Sequence, residues 1–238
     1  FVGSVFSPYY KWARRKGGAD PENHCALNVA LYGEGGHRWS MTERGRRFMR
    51  RDQLRFDVGP SSMRWEDGSL VIDIDEVTVP IPSRLKGRVR LTPSAICAHE
   101  VALDPEGHHI WRPVAPFSRV EADFEKPGLS WRGIGYHDSN WGAVPLEQSF
   151  ESWVWSRAAM KDGAAIIYDT VLRGGGKRSF ALEIAGDGAV REGAAPERQE
   201  MNTTFWRMAR HMRANRPFRA GSLLEGSPFY ARTLLRVQ

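Results

Sequence analysis

Side chains that can transfer protons are concentrated in the stretch from Gly133 to Gly142. It contains the phenol of Tyr136, the imidazole of His137, the carboxylate of Asp138 and the amide of Asn140. Phenols, imidazoles and carboxylic acids act as general acids and bases in proteins. Because side chains two apart on a strand share a face, Tyr136 and Asp138 lie side by side if a strand extends that far. The alternative is a plain turn, in which Asp138 or Asn140 bonds its own backbone.

A second such stretch begins with the adjacent histidines His108 and His109. On a strand, adjacent residues point to opposite faces, so the spacing places His109 rather than His108 on one face with Trp111. Trp153 and Trp155 form a third pair at this spacing. The His109–Trp111 pair and the Tyr136–Asp138 pair could meet in the interior of one barrel.

Other kinds of chemistry find little support. A metal site of His109, His137 and Asp138 is conceivable, but it matches no tight ligand spacing, and a strand turns His137 away from Asp138. We therefore predict no metal.

The chain has no nucleophile-elbow, phosphate-loop or dinucleotide motif, so we expect no cofactor. Cys25 and Cys97 are predicted to be buried free thiols.

The elements that position these residues are predicted to be short strands separated by turn residues such as Asp67-Gly68 and Lys126-Pro-Gly128. The predicted strands are Ala26–Leu31, Arg38–Thr42, Leu54–Val58, Ser62–Glu66, Ser69–Ile74, Arg88–Leu91, Ile110–Pro113, Ser118–Phe124, Leu129–Tyr136, Ser152–Arg157, Ala164–Leu172 and Ser179–Ile184. Only Pro145–Phe150 and Thr203–Arg213 have helix-compatible patterns, and the second alternates equally well and is interpreted as a strand. This pattern predicts an all-β chain, a barrel or a sandwich.

Composition excludes several protein classes. The chain is 41% hydrophobic and 26% charged, which is typical of a globular domain and not of a disordered chain. No apolar run is long enough for a membrane-spanning helix. The net charge is 34 − 28 = +6, but the cations form no recognisable nucleic-acid module. Attraction to an anionic membrane surface is compatible with the same charge.

Several longer stretches point to a known family, and they are spread over the whole chain. They are Phe1–Tyr10, Asp20–Tyr32, Trp39–Gly45, Ile74–Pro80, Arg84–Leu91, Gly135–Asn140, Trp153–Arg157 and Ser227–Arg232. In these stretches the chain resembles the bacterial carotenoid 1,2-hydratases, also called hydroxyneurosporene synthases. More distantly, Tyr136, Asn140-Trp141-Gly142 and the Trp153-x-Trp155 pair resemble a motif of plant tocopherol cyclases.

The resemblance implies an all-β fold of two lipocalin-like antiparallel β-barrels packed together. The expected domains are residues 1–125 and 126–238. The first barrel is expected to be incomplete in this fragment, because the family has further protein before Phe1 and after Gln238. The strand-like ending Leu234–Gln238 agrees with that expectation.

The implied reaction is cofactor-independent, acid-catalysed addition of water to the terminal C=C bond of an acyclic carotene, giving a tertiary alcohol. The family's functional residues fall on His109, Trp111, Tyr136 and Asp138. We expect Asp138 to donate the proton and Tyr136 to orient Asp138 or relay protons. We expect His109 to position or deprotonate the water and Trp111 to face the cation. The sequence does not decide which of Asp138 and His109 is the acid and which is the base.

Asn140, Trp141, Trp153 and Trp155 are the expected substrate-binding residues, although barrel packing also explains the three tryptophans. The expected partners are an acyclic carotenoid and an anionic membrane surface, contacted near Arg14–Lys16 and Arg207–Arg219, with no nucleic acid. The expected location is peripheral, on the cytoplasmic side of the bacterial inner (photosynthetic) membrane. A non-catalytic carrier of apolar isoprenoids, or a related isoprenoid cyclase, is the alternative function. The sequence leaves open whether lycopene or neurosporene is preferred.

Overall fold

Strands account for 58% of the chain and helices for 8% in the computed structural model, which describes residues 1–33 and 37–237. The prediction of an all-β chain is therefore confirmed at the level of secondary structure. Gln238, at the end of the strand-like stretch Leu234–Gln238, lies outside the described residues. Among the described residues, no helix is long and apolar enough to span a membrane.

The described residues form two α-helices and two short 3-10 turns, the latter at Pro21–Asn23 and Arg46–Phe48. The helices are α1 (Pro8–Arg15) and α2 (Leu146–Ser149). The strands are β1 (Asn28–Leu31), β2 (Arg38–Met41), β3 (Met49–Arg51), β4 (Arg55–Val58), β5 (Ser61–Glu66), β6 (Ser69–Val77), β7 (Arg84–Pro93), β8 (Val101–Ala102), β9 (His109–Lys126), β10 (Leu129–Gly142), β11 (Phe150–Met160), β12 (Gly163–Leu172), β13 (Lys177–Ala185), β14 (Val190–Gly193), β15 (Arg198–Met201), β16 (Arg210–Arg213), β17 (Phe218–Gly226) and β18 (Ala231–Val237).

Every predicted strand overlaps an observed one, and the predicted strands Ile110–Pro113 and Ser118–Phe124 are parts of the single strand β9. The short helix predicted over Pro145–Phe150 is observed as α2. The interpretation of Thr203–Arg213 as a strand holds for its last four residues, β16. The prediction of only two helix-compatible stretches is wrong, because Pro8–Arg15 form α1. The Ser7 side chain accepts a hydrogen bond from the Tyr10 N–H (2.9 Å), and Pro8 occupies the first turn, where its missing N–H costs nothing.

The chain divides into two compact units, each made of two segments. Unit 1 comprises Phe1–Cys97 and Val114–Asp138. Unit 2 comprises Ala98–Pro113 and the described residues from Ser139 onward. The predicted domains, 1–125 and 126–238, are each continuous, and that division stays a prediction.

Unit 1 is built around an antiparallel sheet in the order β10-β9-β7-β6-β5-β4-β3. One face of this sheet is apolar and carries two clusters of buried side chains. The clusters are Leu27, Ile74, Leu85, Ala122 and Phe124, and Leu70, Leu91 and Ala115. The packing is close at Gly87, where an added Cβ would lie 2.7 Å from the Phe124 ring, so only glycine fits there.

The opposite face of the same sheet is charged. The Asp73 carboxylate accepts hydrogen bonds from Arg64 (2.5 Å) and Arg88 (2.6 Å) on the neighbouring strands β5 and β7. Arg132 on β10 forms an ion pair of 3.1 Å with Glu121 on β9. Such cross-strand pairs keep the register of a sheet whose other face is buried.

Unit 2 contains a second antiparallel sheet, in the order β11-β12-β13-β14. Ile166 pairs with Leu182 across β12 and β13, and both side chains are fully buried. The next pair on this face, Tyr168 and Phe180, stacks with ring centroids 5.7 Å apart. The shorter pairs are β15–β16 and β17–β18 in unit 2 and β1–β2 in unit 1.

Candidate functional site

Tyr136 and Asp138 lie next to each other on β10 of unit 1. Both are half-buried, and the Tyr136 hydroxyl donates a hydrogen bond of 2.9 Å to Oδ2 of Asp138. The predicted pairing two residues apart is therefore present. The alternative interpretation of this stretch as a turn is wrong, because β10 remains extended as far as Gly142 and pairs with β9.

His137 points to the other face of β10. Its ring centroid is 6.1 Å from that of Trp65, and the neighbouring odd-numbered residues Trp131 and Gly135 also contact the apolar face, at Phe124 and Val120. Burial lowers the pKa of His137, against the opposing charge of Asp138. His137 and Asp138 therefore do not present ligand atoms to a common point, so the conceivable metal site of His109, His137 and Asp138 is not assembled from this strand.

His109 is the first residue of β9 and belongs to unit 2. It is only 5% exposed, whereas His108 is exposed, as the strand pattern predicts. The buried Asp104 carboxylate fixes this strand start, since its two oxygens accept the N–H groups of His108 (2.8 Å) and His109 (2.9 Å). An aspartate that bonds the backbone in this way is common in turns.

The imidazole of His109 is held by three neighbours in unit 2. Its Nε2 lies 3.1 Å from Oγ of Ser149, and its ring centroid is 5.0 Å from that of Phe150. Gly142 lies against the other side, since a Cβ added there would be 2.5 Å from Nδ1. Burial lowers the pKa of His109 and outweighs the nearby charge of Asp104, so the ring is neutral at neutral pH.

Trp111 shares the buried face of β9 with His109, as predicted, and is completely buried in unit 2. Its ring centroid is 5.4 Å from Tyr168 and 6.1 Å from Phe180, both on the second sheet. Trp111 is thus one of three contacting aromatic side chains.

The four expected substrate-binding residues also belong to unit 2, and all are exposed. Asn140 and Trp141 lie in the last residues of β10, and Trp153 and Trp155 share one side of β11. The prediction that the His109–Trp111 and Tyr136–Asp138 pairs share one barrel interior stays a prediction.

Sequence reasoning missed the residues that hold His109. Asp104 stands in a turn-like Asp-Pro-Glu-Gly sequence, which was a usable signal. Ser149 is 40 positions away from His109, and nothing in the sequence around Gly142 distinguishes it from the other glycines. Neither contact with His109 could therefore be predicted from spacing. Asp104, Glu106 and His108 also offer ligand atoms within 4.8 Å of one another, but the Asp104 oxygens already bind backbone amides.

Together these features define an all-β protein with a half-buried phenol–carboxylate pair and a buried neutral imidazole. All of residues 1–238 match the family model described as carotenoid hydratase CrtC. The chain belongs to this family.

The curated relatives align with this chain over essentially its full length. The acyclic carotenoid 1,2-hydratase of Thiocapsa roseopersicina is 50% identical over 240 residues, which cover 100% of this chain and 59% of that protein. The protein of the same name from Rubrivivax gelatinosus is 49% identical and is covered to 59%, and that from Cereibacter sphaeroides is 42% identical and is covered to 84%. The chain thus spans about three fifths of the length of the first two relatives. No solved structure gives a significant match.

Proposed function

We propose that this chain carries carotenoid 1,2-hydratase activity, which adds water to the terminal C=C bond of an acyclic carotene such as lycopene or neurosporene. The observation that carries the proposal is the hydrogen-bonded Tyr136–Asp138 pair, in a chain of the carotenoid hydratase family. Adding water to an alkene needs one proton donor and one proton acceptor and no change of oxidation state, so an acid–base site suffices.

Asp138 is the proposed proton donor. Its Oδ2 accepts the hydrogen bond from Tyr136, so we assign the transferable proton to Oδ1. Transfer of this proton to the terminal double bond leaves a tertiary carbocation on the substrate and a carboxylate on Asp138. The Tyr136 hydroxyl then stabilises that carboxylate, since hydrogen bonds to ionised groups are stronger than those to neutral groups.

His109 is the proposed acceptor of the water proton. A water molecule forms the new C–O bond at the cation and gives one proton to the imidazole, which leaves a tertiary alcohol. A base must be unprotonated before the reaction, and the burial that lowers the pKa of His109 supports this role. Ser149 and Phe150 hold the ring in one orientation.

Aromatic side chains are proposed to stabilise the cation and to hold the polyene. A desolvated cation over an aromatic face gains about 2 kcal/mol in good geometry. Trp111 is proposed to face the cation, and its ring contacts with Tyr168 and Phe180 support this role. Asn140, Trp141, Trp153 and Trp155 are assigned to the rest of the substrate, and the exposure of the three tryptophans supports a role in binding.

The proposed fold consists of two lipocalin-like barrels over residues 1–125 and 126–238, with the first incomplete in this fragment. The antiparallel order of both sheets supports this proposal, because neighbouring strands in such barrels are mostly consecutive in sequence.

We place the protein at the cytoplasmic face of the bacterial inner membrane, as a peripheral protein without a resident cofactor. An acyclic carotene dissolves in the bilayer and not in water, so the enzyme must collect it there. The excess of arginine and lysine over acidic residues, +6, supports contact with anionic lipids.

The experiment is incubation of the purified chain with lycopene in detergent micelles, followed by mass-spectrometric detection of the hydrated product. Asp138→Asn removes the transferable proton with little change of shape, so product formation should cease. Asp123→Asn changes an exposed aspartate on β9 of the same unit and should leave activity unchanged. Hydration by Asp138→Asn at the wild-type rate would remove Asp138 from the mechanism.

A further inference from the structure

One side of helix α1 packs on the rest of unit 1. Tyr10, Ala13 and Arg14 are half-buried, and the Tyr10 ring lies 5.1 Å from the ring of His24. The Arg14 guanidinium lies over the same Tyr10 ring at 5.5 Å. Ser7 caps the first turn and so fixes the start of the helix. The contact of Tyr10 with His24 fixes its orientation.

The outward side of α1 is formed by aromatic rings and cations. Tyr9 is 69% and Trp12 60% exposed, and one helical turn separates them. Lys11, Arg15 and Lys16 are exposed around these rings, with the Lys16 ammonium 3.7 Å from the centre of the Trp12 ring. Residues 1–19 contain no aspartate or glutamate.

This combination is characteristic of a helix that lies in a membrane interface. Tyrosine and tryptophan prefer the headgroup level, where the ring is in apolar surroundings and its polar atom meets water. Lysine and arginine extend their aliphatic stems over the apolar region and keep their charges at the phosphates. A cluster of cations without acids selects anionic lipids.

We propose that α1 docks the protein on an anionic lipid bilayer, with Tyr9 and Trp12 in the interface and Lys11, Arg15 and Lys16 on lipid phosphates. The reason for such docking rests on the proposed function, since the carotene must be taken from a bilayer. The docking itself depends only on the surface of α1.

A second exposed aromatic pair allows the proposal to be tested against a matched surface. Phe205 and Trp206, in a turn of unit 2, are 89% and 52% exposed. The arginines of the adjoining strand β16 are engaged within the protein: Arg210 donates to the Asn202 carbonyl and Arg213 to Asp169. The aromatic area is comparable to that of α1, but the turn adds one exposed cation, Arg207, whereas Lys11, Arg15 and Lys16 are exposed on α1, so we assign docking to α1.

The experiment is co-sedimentation of the full chain with two kinds of vesicle, one of phosphatidylcholine alone and one that also contains phosphatidylglycerol. The wild type should bind only the second, and high salt should weaken binding. The double variant Tyr9→Ala/Trp12→Ala should bind about tenfold or more weakly, because it loses the interfacial rings. Phe205→Ala/Trp206→Ala should bind like the wild type.

Charge is tested separately with the double variant Lys11→Glu/Arg15→Glu, which should abolish binding to anionic vesicles. Lys161→Glu/Lys177→Glu reverses two exposed charges in unit 2 and should change it much less. All substitutions are at exposed positions, so thermal unfolding should stay the same and exclude misfolding. Equal losses in the α1 variants and their controls, or absence of vesicle binding by the wild type, would overturn the proposal.

A comparison of two substrate forms separates this proposal from the proposed function. The α1 variants should hydrate lycopene in detergent micelles as fast as the wild type and hydrate lycopene in anionic vesicles more slowly. If no protein hydrates lycopene in either form, the proposed function fails, while vesicle binding still decides the role of α1. An equal rate for wild type and variants in vesicles would also contradict docking through α1.

Discussion

The Tyr136 hydroxyl donates a 2.9 Å hydrogen bond to the carboxylate of Asp138, two residues further along the same strand. Because β10 is extended, both side chains point to the same side, and the intervening His137 packs against Trp65 on the other. A single strand thus separates a polar acid pair from a half-buried imidazole. This separation leaves Asp138 beside Tyr136, as the proposed proton-donor role requires, and leaves His137 on the apolar face.

The first prediction concerns the phenol of Tyr136. Tyr136→Phe keeps the ring and removes the hydrogen bond to Asp138. A hydrogen bond to a charged group contributes about 1.5–3 kcal/mol, so kcat for lycopene hydration should fall roughly tenfold to a hundredfold. The measurement is initial rate against lycopene concentration in detergent. Tyr9→Phe, on the exposed side of α1, is the control and should retain the wild-type rate.

The second prediction concerns the glycine that lies against His109. A Cβ at position 142 would come within 2.5 Å of Nδ1 of His109, so Gly142→Ala should displace the imidazole and reduce hydration about tenfold or more. Gly133→Ala, on the same strand, meets nothing within 4 Å and should leave the rate unchanged. Equal rates for the two variants would show that the position of His109 does not matter for the reaction.

The strand prediction succeeded because alternation and turn residues are local signals. The shared face of His109 and Trp111 and the pairing of Tyr136 with Asp138 follow from the same period of two. The extension of β10 through Asp138 was less evident, because residues that favour turns also occur in a strand when a neighbouring strand binds their backbone.

The features that were not predicted are a contact between distant residues and a short helix with a capped start. Ser149 approaches His109 across 40 residues, and no pattern near either residue indicates it. The helix α1 does have local signals, Ser7 followed by Pro8, but its eight residues are shorter than the window over which a helical period is recognised.

The third prediction concerns stability in mild acid. Burial lowers the pKa of both His109 and His137 below the ordinary value of 6.5, so both are neutral in the folded protein at neutral pH. At pH values between the folded-state and unfolded-state pKa of these histidines, the unfolded chain binds more protons than the folded protein. The free energy of unfolding therefore falls as the pH drops below about 6.5. Urea titrations at several pH values should show this slope.

The matched variant for this slope is His137→Phe, which keeps an aromatic ring beside Trp65 and removes the titrating group. Its free energy of unfolding should fall less steeply between pH 6.5 and lower values than that of the wild type. His108→Phe removes an exposed histidine and should preserve the wild-type slope. A slope that does not change in His137→Phe would mean that folding leaves the pKa of this histidine at its unfolded value.

The last prediction concerns the buried carboxylate of Asp169 in unit 2. Burial by itself would raise the pKa of Asp169, but hydrogen bonds from Ser179, Arg213 and His211 outweigh it and hold the pKa below its ordinary value. Asp169→Asn leaves Arg213 in place without its counter-charge, so the free energy of unfolding should fall by about 3 kcal/mol. Urea denaturation measures this loss. Glu183→Gln breaks an exposed ion pair with Arg191 on β14 and should leave the urea midpoint almost unchanged, whereas equal midpoint shifts would refute a special role for the buried carboxylate.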